Sequence, residues 1–225
     1  MTKPQQLTFP WSKHNKVSFN DFFFESSNNE IRMALESNED LVMYGVKDAG
    51  KSFLLQSACN FYSSKQESSV YIPIHEAINF GTDFIDSLEG LDVICIDDIE
   101  LVAANEKWEL AIFNLINSCL ISNCRLIFSS SVNPSSIDFK LDDLSSRIKK
   151  IDHIELYPVN DANLPEAIRF ISHLRSINLG DKEINYLVTY SKRNISNLIE
   201  IINKLDQLSM ELKRKITIPL IKEII

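Results

Sequence analysis

Glycine is scarce in this chain: only five of its 225 residues are glycine, whereas average usage of about 7% would supply about sixteen. Long hydrophobic runs are missing too, since none approaches the ~18 residues that a transmembrane helix needs, and the first residues lack the basic-then-apolar pattern of a signal peptide. The four cysteines form no C-x-x-C pair, which argues against a zinc site or a disulfide framework. These absences predict a cytoplasmic protein with no membrane contact and with buried, reduced thiols.

Basic residues are in the minority. Lys and Arg number 23 against 31 Asp and Glu, which gives a formal net charge of -8. A chain with this net negative charge is poorly suited to nonspecific electrostatic binding of nucleic-acid phosphates, and we expect no direct sequence-specific DNA binding. Its length and its 44% hydrophobic content fit one globular unit, or a large domain with a small companion.

Two of the few glycines, Gly45 and Gly50, stand five positions apart, and the eight-residue segment that begins at Gly45 matches G-x-x-x-x-G-K-[ST] in full. The segment reads Gly45-Val46-Lys47-Asp48-Ala49-Gly50-Lys51-Ser52. A short apolar run precedes it and a helical spacing follows, which is the strand, loop, helix order of a P-loop. In such a loop the backbone N–H groups surround the phosphates, Lys51 approaches the β- and γ-phosphates, and the Ser52 hydroxyl ligates Mg²⁺. We therefore predict binding of ADP or ATP with Mg²⁺; the alternative is an ordinary glycine turn.

A second motif is an apolar run, Val93 to Ile96, that ends in the adjacent acids Asp97 and Asp98. Such a run fits a strand covered on both faces, with the acids at the carboxyl edge of a parallel sheet. The pair has the Walker B pattern, in which Asp97 holds Mg²⁺ through water and Asp98 orients an attacking water. The alternative is a pair of acids that caps a helix after the strand.

Apolar runs and helical patterns alternate along the first two thirds of the chain, and only helical patterns follow. Alternation of this kind predicts a parallel sheet flanked by helices, so the fold class is α/β, with a P-loop core followed by a small all-helical lid domain. We place a flexible docking segment at 1–14, a nucleotide-binding domain at 15–158 and the lid at 159–225. The predicted strands lie near Leu41–Tyr44, 70–72, 93–96, 125–128 and 151–156.

Several short motifs resemble one family. Phe19-Asn20-Asp21-Phe22, the acidic pair, Ser145-Ser146-Arg147 and the closing segment 216–223 are similar to the AAA+ ATPase core of DnaA, the bacterial replication initiator. The sequence ends at Ile225, without the basic helix-turn-helix that follows this core in DnaA. Trp108 to Phe113 resembles the Hda family of DnaA-related regulators, which inactivate DnaA after initiation. The resemblance implies an AAA+ core and DnaA as a partner, and self-association is compatible with it.

The hexapeptide before the first predicted element carries alternating apolar side chains. It reads Gln6-Leu7-Thr8-Phe9-Pro10-Trp11. Apolar residues on a terminal segment fit a docking peptide that becomes ordered on binding. The hexapeptide resembles the one with which this family binds the DNA polymerase sliding clamp. The alternative is an N-terminal arm that packs on its own domain.

The family resemblance assigns Arg147 a role in catalysis. It matches the arginine finger, which reaches the γ-phosphate bound by a neighbouring subunit, and a guanidinium suits this role because its fork donates to phosphate oxygens. The alternative is a surface arginine paired with Asp142 or Asp143.

Two positions depart from the family pattern and bear on hydrolysis by the chain itself. Ser131 stands where DnaA-type proteins carry a sensor aspartate, and Ser196 stands where they usually carry a sensor arginine. We therefore expect weak intrinsic hydrolysis and a regulator that acts on ATP bound to DnaA. The alternative is a self-contained AAA+ ATPase, such as a helicase loader, that turns over its own ATP.

Overall fold

The computed structural model describes residues 16–86 and 88–225. These residues form two compact units. The first, the sheet unit, comprises 16–19, Glu30–Gly45 and Lys51–Leu156; the second, the helical unit, comprises Asn20–Asn29, Val46–Gly50 and Tyr157–Ile225. The predicted docking peptide, 6–11, lies outside the described residues.

Five parallel strands form one sheet in the order β2-β3-β4-β1-β5. They are β1 (Leu41–Tyr44), β2 (Ser69–Pro73), β3 (Val93–Asp97), β4 (Arg125–Ser130) and β5 (Asp152–Glu155). Every residue of β3 and β4 is buried, because the two central strands are covered on both faces, and this explains their continuous apolar runs. The predicted α/β fold with a parallel sheet is confirmed.

Helices accompany the strands in the order expected for this fold. They are α1 (Asn29–Glu36), α2 (Lys51–Ser64), α3 (Ile74–Ala77), α4 (Glu106–Ser122) and α5 (Asp142–Ile148). The largest buried cluster joins strand residues such as Ile96 and Phe128 to Trp108 and Ile112 of α4 and to Leu144 of α5. All four cysteines are free and buried, as predicted.

The strand register defines two opposite edges of the sheet. At the carboxyl edge, Tyr44 of β1 pairs with Ser130 of β4, and Asp97 ends the neighbouring β3. At the amino edge, Arg125 begins β4 and Asp152 begins β5. The residues that follow β1 and β3 therefore share the carboxyl edge, with the end of β4 between them.

Four helices make up most of the helical unit: α6 (Leu164–Leu174), α7 (Asp181–Tyr190), α8 (Ile195–Leu212) and α9 (Ile218–Lys222). Their apolar faces meet around Ile168, Leu187, Leu198 and Ile202. The predicted helical lid is thus observed. Over the described residues, none of the helices has both the length and the hydropathy required to cross a membrane.

The segment Asn20–Asn29 is held in the helical unit by side-chain hydrogen bonds. The Asn28 amide donates to the carbonyl of Tyr157 at 2.9 Å and accepts from its N–H at 3.1 Å. Glu25 Oε1 accepts from the N–H of Asn160 at 2.7 Å. These bonds pair a remote segment with the start of the helical region.

Arg125, at the amino edge, is a charged residue only 5% exposed. Its guanidinium donates to the carbonyl oxygens of Leu35 and Ala34, both at 2.8 Å, and of Glu39 at 2.7 Å, and it contacts the Tyr62 hydroxyl. Two of these carbonyls end α1, where unpaired C=O groups favour a cation. Burial lowers the pKa of Arg125 from its ordinary value, yet this side chain ties α1 to the sheet.

Replacing Arg125 with Met should destabilise the protein by about 3 kcal/mol, because several buried carbonyls would lose their charged donor. Arg32→Met is the matched control: Arg32 lies exposed on α1, where it pairs with Glu36 across one helical turn and lies over the Phe19 ring at 5.9 Å, so its loss should change stability by less than about 0.5 kcal/mol. Urea denaturation measures both variants. Equal effects would contradict the anchoring role.

Candidate functional site

The two glycines of the P-loop satisfy different steric demands. Gly45 directly follows β1 and lies against the backbone of Leu156. A Cβ at Gly45 would collide with the carbonyl oxygen of Leu156. Gly50 has a φ of 104°, in the left-handed region, and a Cβ there would lie 2.6 Å from the Phe22 ring. Only glycine fits either position, which accounts for their placement in a glycine-poor chain.

Lys51 begins α2 and is almost completely buried. Its ammonium group donates to the carbonyl of Gly45 at 2.8 Å, across the loop. Its positive charge also acts on Asp98, whose pKa it lowers in part. An ammonium group held at the mouth of a P-loop can exchange its carbonyl partner for a phosphate oxygen.

Asp97 is fully buried, and both of its carboxylate oxygens accept hydrogen bonds. Tyr71 donates its hydroxyl to Oδ2 at 2.6 Å, and Ser129 donates its hydroxyl to Oδ1. Burial and the Asp97 carboxylate raise the pKa of Tyr71 far above its ordinary value, while hydrogen bonds with Gln56 and Ser52 oppose that shift. Neither Tyr71 nor Ser129 was predicted as a site residue.

Tyr71 brings the two predicted Mg²⁺ ligands together, because its hydroxyl hydrogen-bonds with both Ser52 and Asp97. A serine hydroxyl and a carboxylate are hard oxygen donors, the kind that Mg²⁺ prefers. Each carboxylate oxygen of Asp97 retains a lone pair that can accept a metal-bound water. The donor set therefore fits Mg²⁺ held by Ser52 directly and by Asp97 through water.

Asp98 follows β3 in the left-handed region, with a φ of 59°. Burial, together with the nearby carboxylates of Asp97 and Glu100, raises the pKa of its carboxyl to about 6. His75 Nδ1 lies 3.7 Å from Asp98 Oδ2. His75 reaches Asp98 because α3 directly follows β2, which pairs with β3.

A carboxylate reaches Ser131, the position where the family carries an aspartate, from the loop after β3. Glu100 Oε1 accepts the N–H of Ser131 at 2.9 Å and also its hydroxyl. The other oxygen, Oε2, is buried and has no hydrogen-bond partner among the described residues. Glu100 is thus a further acid of the site that sequence reasoning missed.

In the helical unit, Ser196 lies in the first turn of α8, where its N–H donates to Asn194 Oδ1 at 2.8 Å. The nearby cation Arg193 pairs with Asp161, with Nη1 and Oδ2 3.2 Å apart. Arg193 is therefore engaged within its own unit.

Arg147 lies in the last turn of α5 and lines a cavity of about 490 Å³ with Asp40, Arg125, Lys150 and Asp152. These neighbours precede or begin strands, so the cavity lies at the amino edge of the sheet, opposite the P-loop. Within residues 16–86 and 88–225, the side chain of Arg147 forms no ion pair or hydrogen bond, although its backbone carbonyl accepts the N–H of Lys150 at 3.1 Å. In particular, it does not pair with Asp142 or Asp143, the alternative partners considered from sequence.

Comparison with known proteins gives two family matches. Residues 13–152 match the bacterial DnaA ATPase domain, and residues 161–225 match the lid domain of Hda. An uncharacterized protein of Haemophilus influenzae is 29% identical over 98% of both chains.

Solved structures share the fold. Domain III of the Thermotoga maritima replication initiation protein DnaA superimposes with a TM-score of 0.81 at 20% identity, covering 95% of this chain and 99% of that domain. AMPPCP-bound DnaA from Aquifex aeolicus gives a TM-score of 0.73 at 21% identity, over 89% of this chain and 68% of the other.

Asp98→Asn should stabilise the protein above pH 6. The pKa of Asp98 is raised to about 6 from an ordinary 3.8, so its protonated form contributes stability that is complete below pH 3.8 and lost as the pH rises through 6. At pH 8 the variant should gain roughly 1 to 2 kcal/mol, allowing for solvent screening, and the gain should vanish near pH 4.

Asp92→Asn is the control, because the pKa of Asp92 is shifted in the opposite direction to that of Asp98. The hydroxyl and N–H of Ser68 lower the pKa of Asp92, so this variant should lose stability at neutral pH, and the loss should shrink as the pH falls through the folded pKa. Urea denaturation from pH 4 to pH 8 measures both. Parallel pH profiles for Asp98→Asn and the wild type would contradict the assignment.

Proposed function

The chain belongs to the bacterial DnaA ATPase family, as an Hda-like, DnaA-related AAA+ protein, and we propose that it is a nucleotide-binding negative regulator of replication initiation. In this proposal it docks on the DNA polymerase sliding clamp and supplies Arg147 to the ATP site of DnaA. DnaA-ATP becomes DnaA-ADP, and initiation is not repeated.

Its own nucleotide, ADP or ATP, binds the P-loop. Lys51 leaves the Gly45 carbonyl for the phosphates, and the backbone N–H groups of the loop and the start of α2 surround them. Ser52 and Asp97 hold Mg²⁺, which neutralises phosphate charge when bound. The AMPPCP bound to the DnaA of Aquifex aeolicus supports a nucleotide in this fold.

The position of Arg147 carries the proposal. Its guanidinium lines a cavity at the amino edge of the sheet, whereas Gly45, Lys51 and Asp97 lie at the carboxyl edge. The side chain has no partner among the described residues and lies at the wrong end of the sheet to reach its own P-loop. A guanidinium presented in this way is available to a phosphate on another molecule.

The chemistry then takes place in the partner's site. As the γ-phosphoryl group of the bound ATP is transferred to water, negative charge develops on its oxygens. The planar fork of Arg147 donates to these oxygens and remains charged throughout. Fingers of this type accelerate hydrolysis by about 10³ to 10⁵, which is sufficient to make the partner's hydrolysis depend on this protein.

A self-contained ATPase is the second candidate, and the complete P-loop with Asp97 and Asp98 favours it. Against it, the position of the family's sensor aspartate is a serine bound to Glu100, the position of the sensor arginine is the uncharged Ser196, and the nearby Arg193 pairs with Asp161. Neither sensor position therefore supplies a cation in addition to Lys51. Steady-state ATP hydrolysis by the isolated protein discriminates the two. Vigorous turnover without DnaA would favour the self-contained ATPase.

Arg147→Ala should abolish the stimulation of DnaA while ADP and clamp binding remain intact, because Arg147 lies far from its own P-loop. The expected loss is about 10³-fold or more, and Arg147→Lys should rescue poorly because an ammonium lacks the fork. Single-turnover hydrolysis of ATP preloaded on DnaA, with clamp loaded on DNA, measures it. Lys149→Ala, an exposed cation two residues on, should retain stimulation. Undiminished stimulation by Arg147→Ala would remove the finger assignment.

Replacing Leu7 and Phe9 together with Ala should abolish clamp binding. Apolar anchors contribute most of the affinity of a docking peptide, and a peptide whose role is docking contributes little to folding. Binding to immobilised clamp and the melting temperature are measured side by side, with Lys3→Ala as the control that keeps both unchanged. A clear fall in melting temperature would mean that the segment packs on its own domain.

A further inference from the structure

Glu109, on α4, is a buried acid that the proposed mechanism does not use. It is 1% exposed, and its carboxylate accepts three backbone N–H groups. Oε1 accepts from Ala104 at 2.7 Å and from Lys140 at 3.1 Å, and Oε2 accepts from Leu141 at 2.7 Å. The side chain thus connects two loops that are about thirty-five residues apart in sequence.

One of these loops begins at the acidic pair. After Asp98 the chain forms a tight 3-10 turn, in which the N–H of Leu101 donates to the carbonyl of Asp98 at 3.0 Å. The turn ends at Ala104, whose φ of 66° lies in the left-handed region, which is unfavourable for a residue with a Cβ. The bond to Glu109 therefore holds a strained residue at the end of the Walker B loop.

The other loop leads into the helix that carries Arg147. Leu141 is the N-cap of α5, and its carbonyl accepts the N–H of Ser145 at 3.1 Å. Arg147 follows in the last turn of this seven-residue helix. Because α5 is so short, the position of Lys140 and Leu141 determines the position of Arg147.

We infer that Glu109 is a positioning residue that couples the nucleotide site of this chain to Arg147. A carboxylate that accepts from both loops cannot keep its bonds if one loop moves alone, so a change at Asp97 and Asp98 is passed on to α5. This inference rests on the proposed role of Arg147 for its functional meaning, whereas the coupling itself lies within one chain.

The chemistry of the site supports coupling over simple space filling. Trp108 and Ile112, which flank Glu109 on α4, belong to the largest buried apolar cluster, and an apolar side chain could be buried here without the cost of desolvating a charge. Charge-assisted hydrogen bonds to backbone N–H groups are short and directional. They therefore fix the relative position of the two loops, which packing alone does not.

Amide hydrogen exchange of the full chain, alone and with ADP and Mg²⁺, tests the coupling directly. In the wild type, ADP should slow exchange at Ala104, Lys140 and Leu141. Glu109→Gln keeps the size of the side chain but turns an NH₂ group toward a backbone donor. It should exchange about tenfold faster at these amides, the effect of one lost hydrogen bond. It should also lose the ADP effect at Lys140 and Leu141 while binding ADP normally.

Glu106→Gln is the matched control, because it removes the same charge from the first turn of α4 at a side chain that is 83% exposed and lies 3.7 Å from Lys140 Nζ in a surface ion pair. Because an exposed pair of this kind contributes little, this variant should behave as the wild type. In the DnaA assay, Glu109→Gln should lower the maximal stimulated rate by about tenfold without raising the concentration needed for half-maximal stimulation. A defect in folding alone would raise that concentration.

Two results would overturn the coupling: wild-type exchange at these amides that ADP does not change, or Glu109→Gln exchange that ADP still slows at Lys140 and Leu141. The wild-type measurement decides the question even if the variant does not fold. Because exchange is measured without DnaA, an ADP effect that depends on Glu109, together with absent stimulation by the wild type, would confirm the coupling and reject the proposed function instead.

Discussion

All five strands of the sheet run parallel, and this one constraint places the P-loop and Arg147 at opposite edges of the sheet. The chain leaves β1 and β3 at the carboxyl edge, so the P-loop after β1 and Asp97 at the end of β3 both lie at that edge. It must then return to the amino edge to start each new strand. The segment that returns from β4 to β5 contains α5, and Arg147 lies near the end of that return. From this point Arg147 cannot reach the phosphates bound by its own P-loop, so the proposed finger role is one that acts on a second molecule.

Much of this architecture could be predicted from local sequence patterns. Apolar periodicity predicts the buried strands at 41–44 and 93–97 and the four helices after 164. The P-loop is predicted by a motif in which each glycine is required for steric reasons. Strand order is different, because it depends on pairing between distant segments. Tyr71 meets Asp97 only because β2 pairs with β3, and Ser129 does so only because β4 flanks β3 on the other side. Both look like ordinary strand residues in the sequence.

The same limit applies to contacts between loops. Glu100 reaches Ser131, and Asn28 reaches Tyr157, through positions that carry no periodic signal. Three carboxylates, those of Asp97, Asp98 and Glu100, therefore lie within four residues at one edge of the sheet. Lys51 and His75 offset part of this charge at Asp98. The remaining excess of negative charge is electrostatically unfavourable, a cost that functional sites commonly carry, and the proposed Mg²⁺ would offset it.

Two buried charges organise the sheet unit, and in both the main hydrogen-bond partners are backbone groups. Arg125 donates to backbone carbonyl oxygens beside the cavity that Arg147 lines. Glu109 accepts from backbone N–H groups of the Walker B loop and of the segment that leads into α5. A backbone N–H or C=O group can move only if the main chain moves. A buried charge that is satisfied by backbone groups therefore fixes the position of the main chain. Arg125 thereby holds the surroundings of Arg147, and Glu109 holds the helix that presents it. The guanidinium of Arg147 can remain without a partner among the described residues because the groups around it are held by other charges.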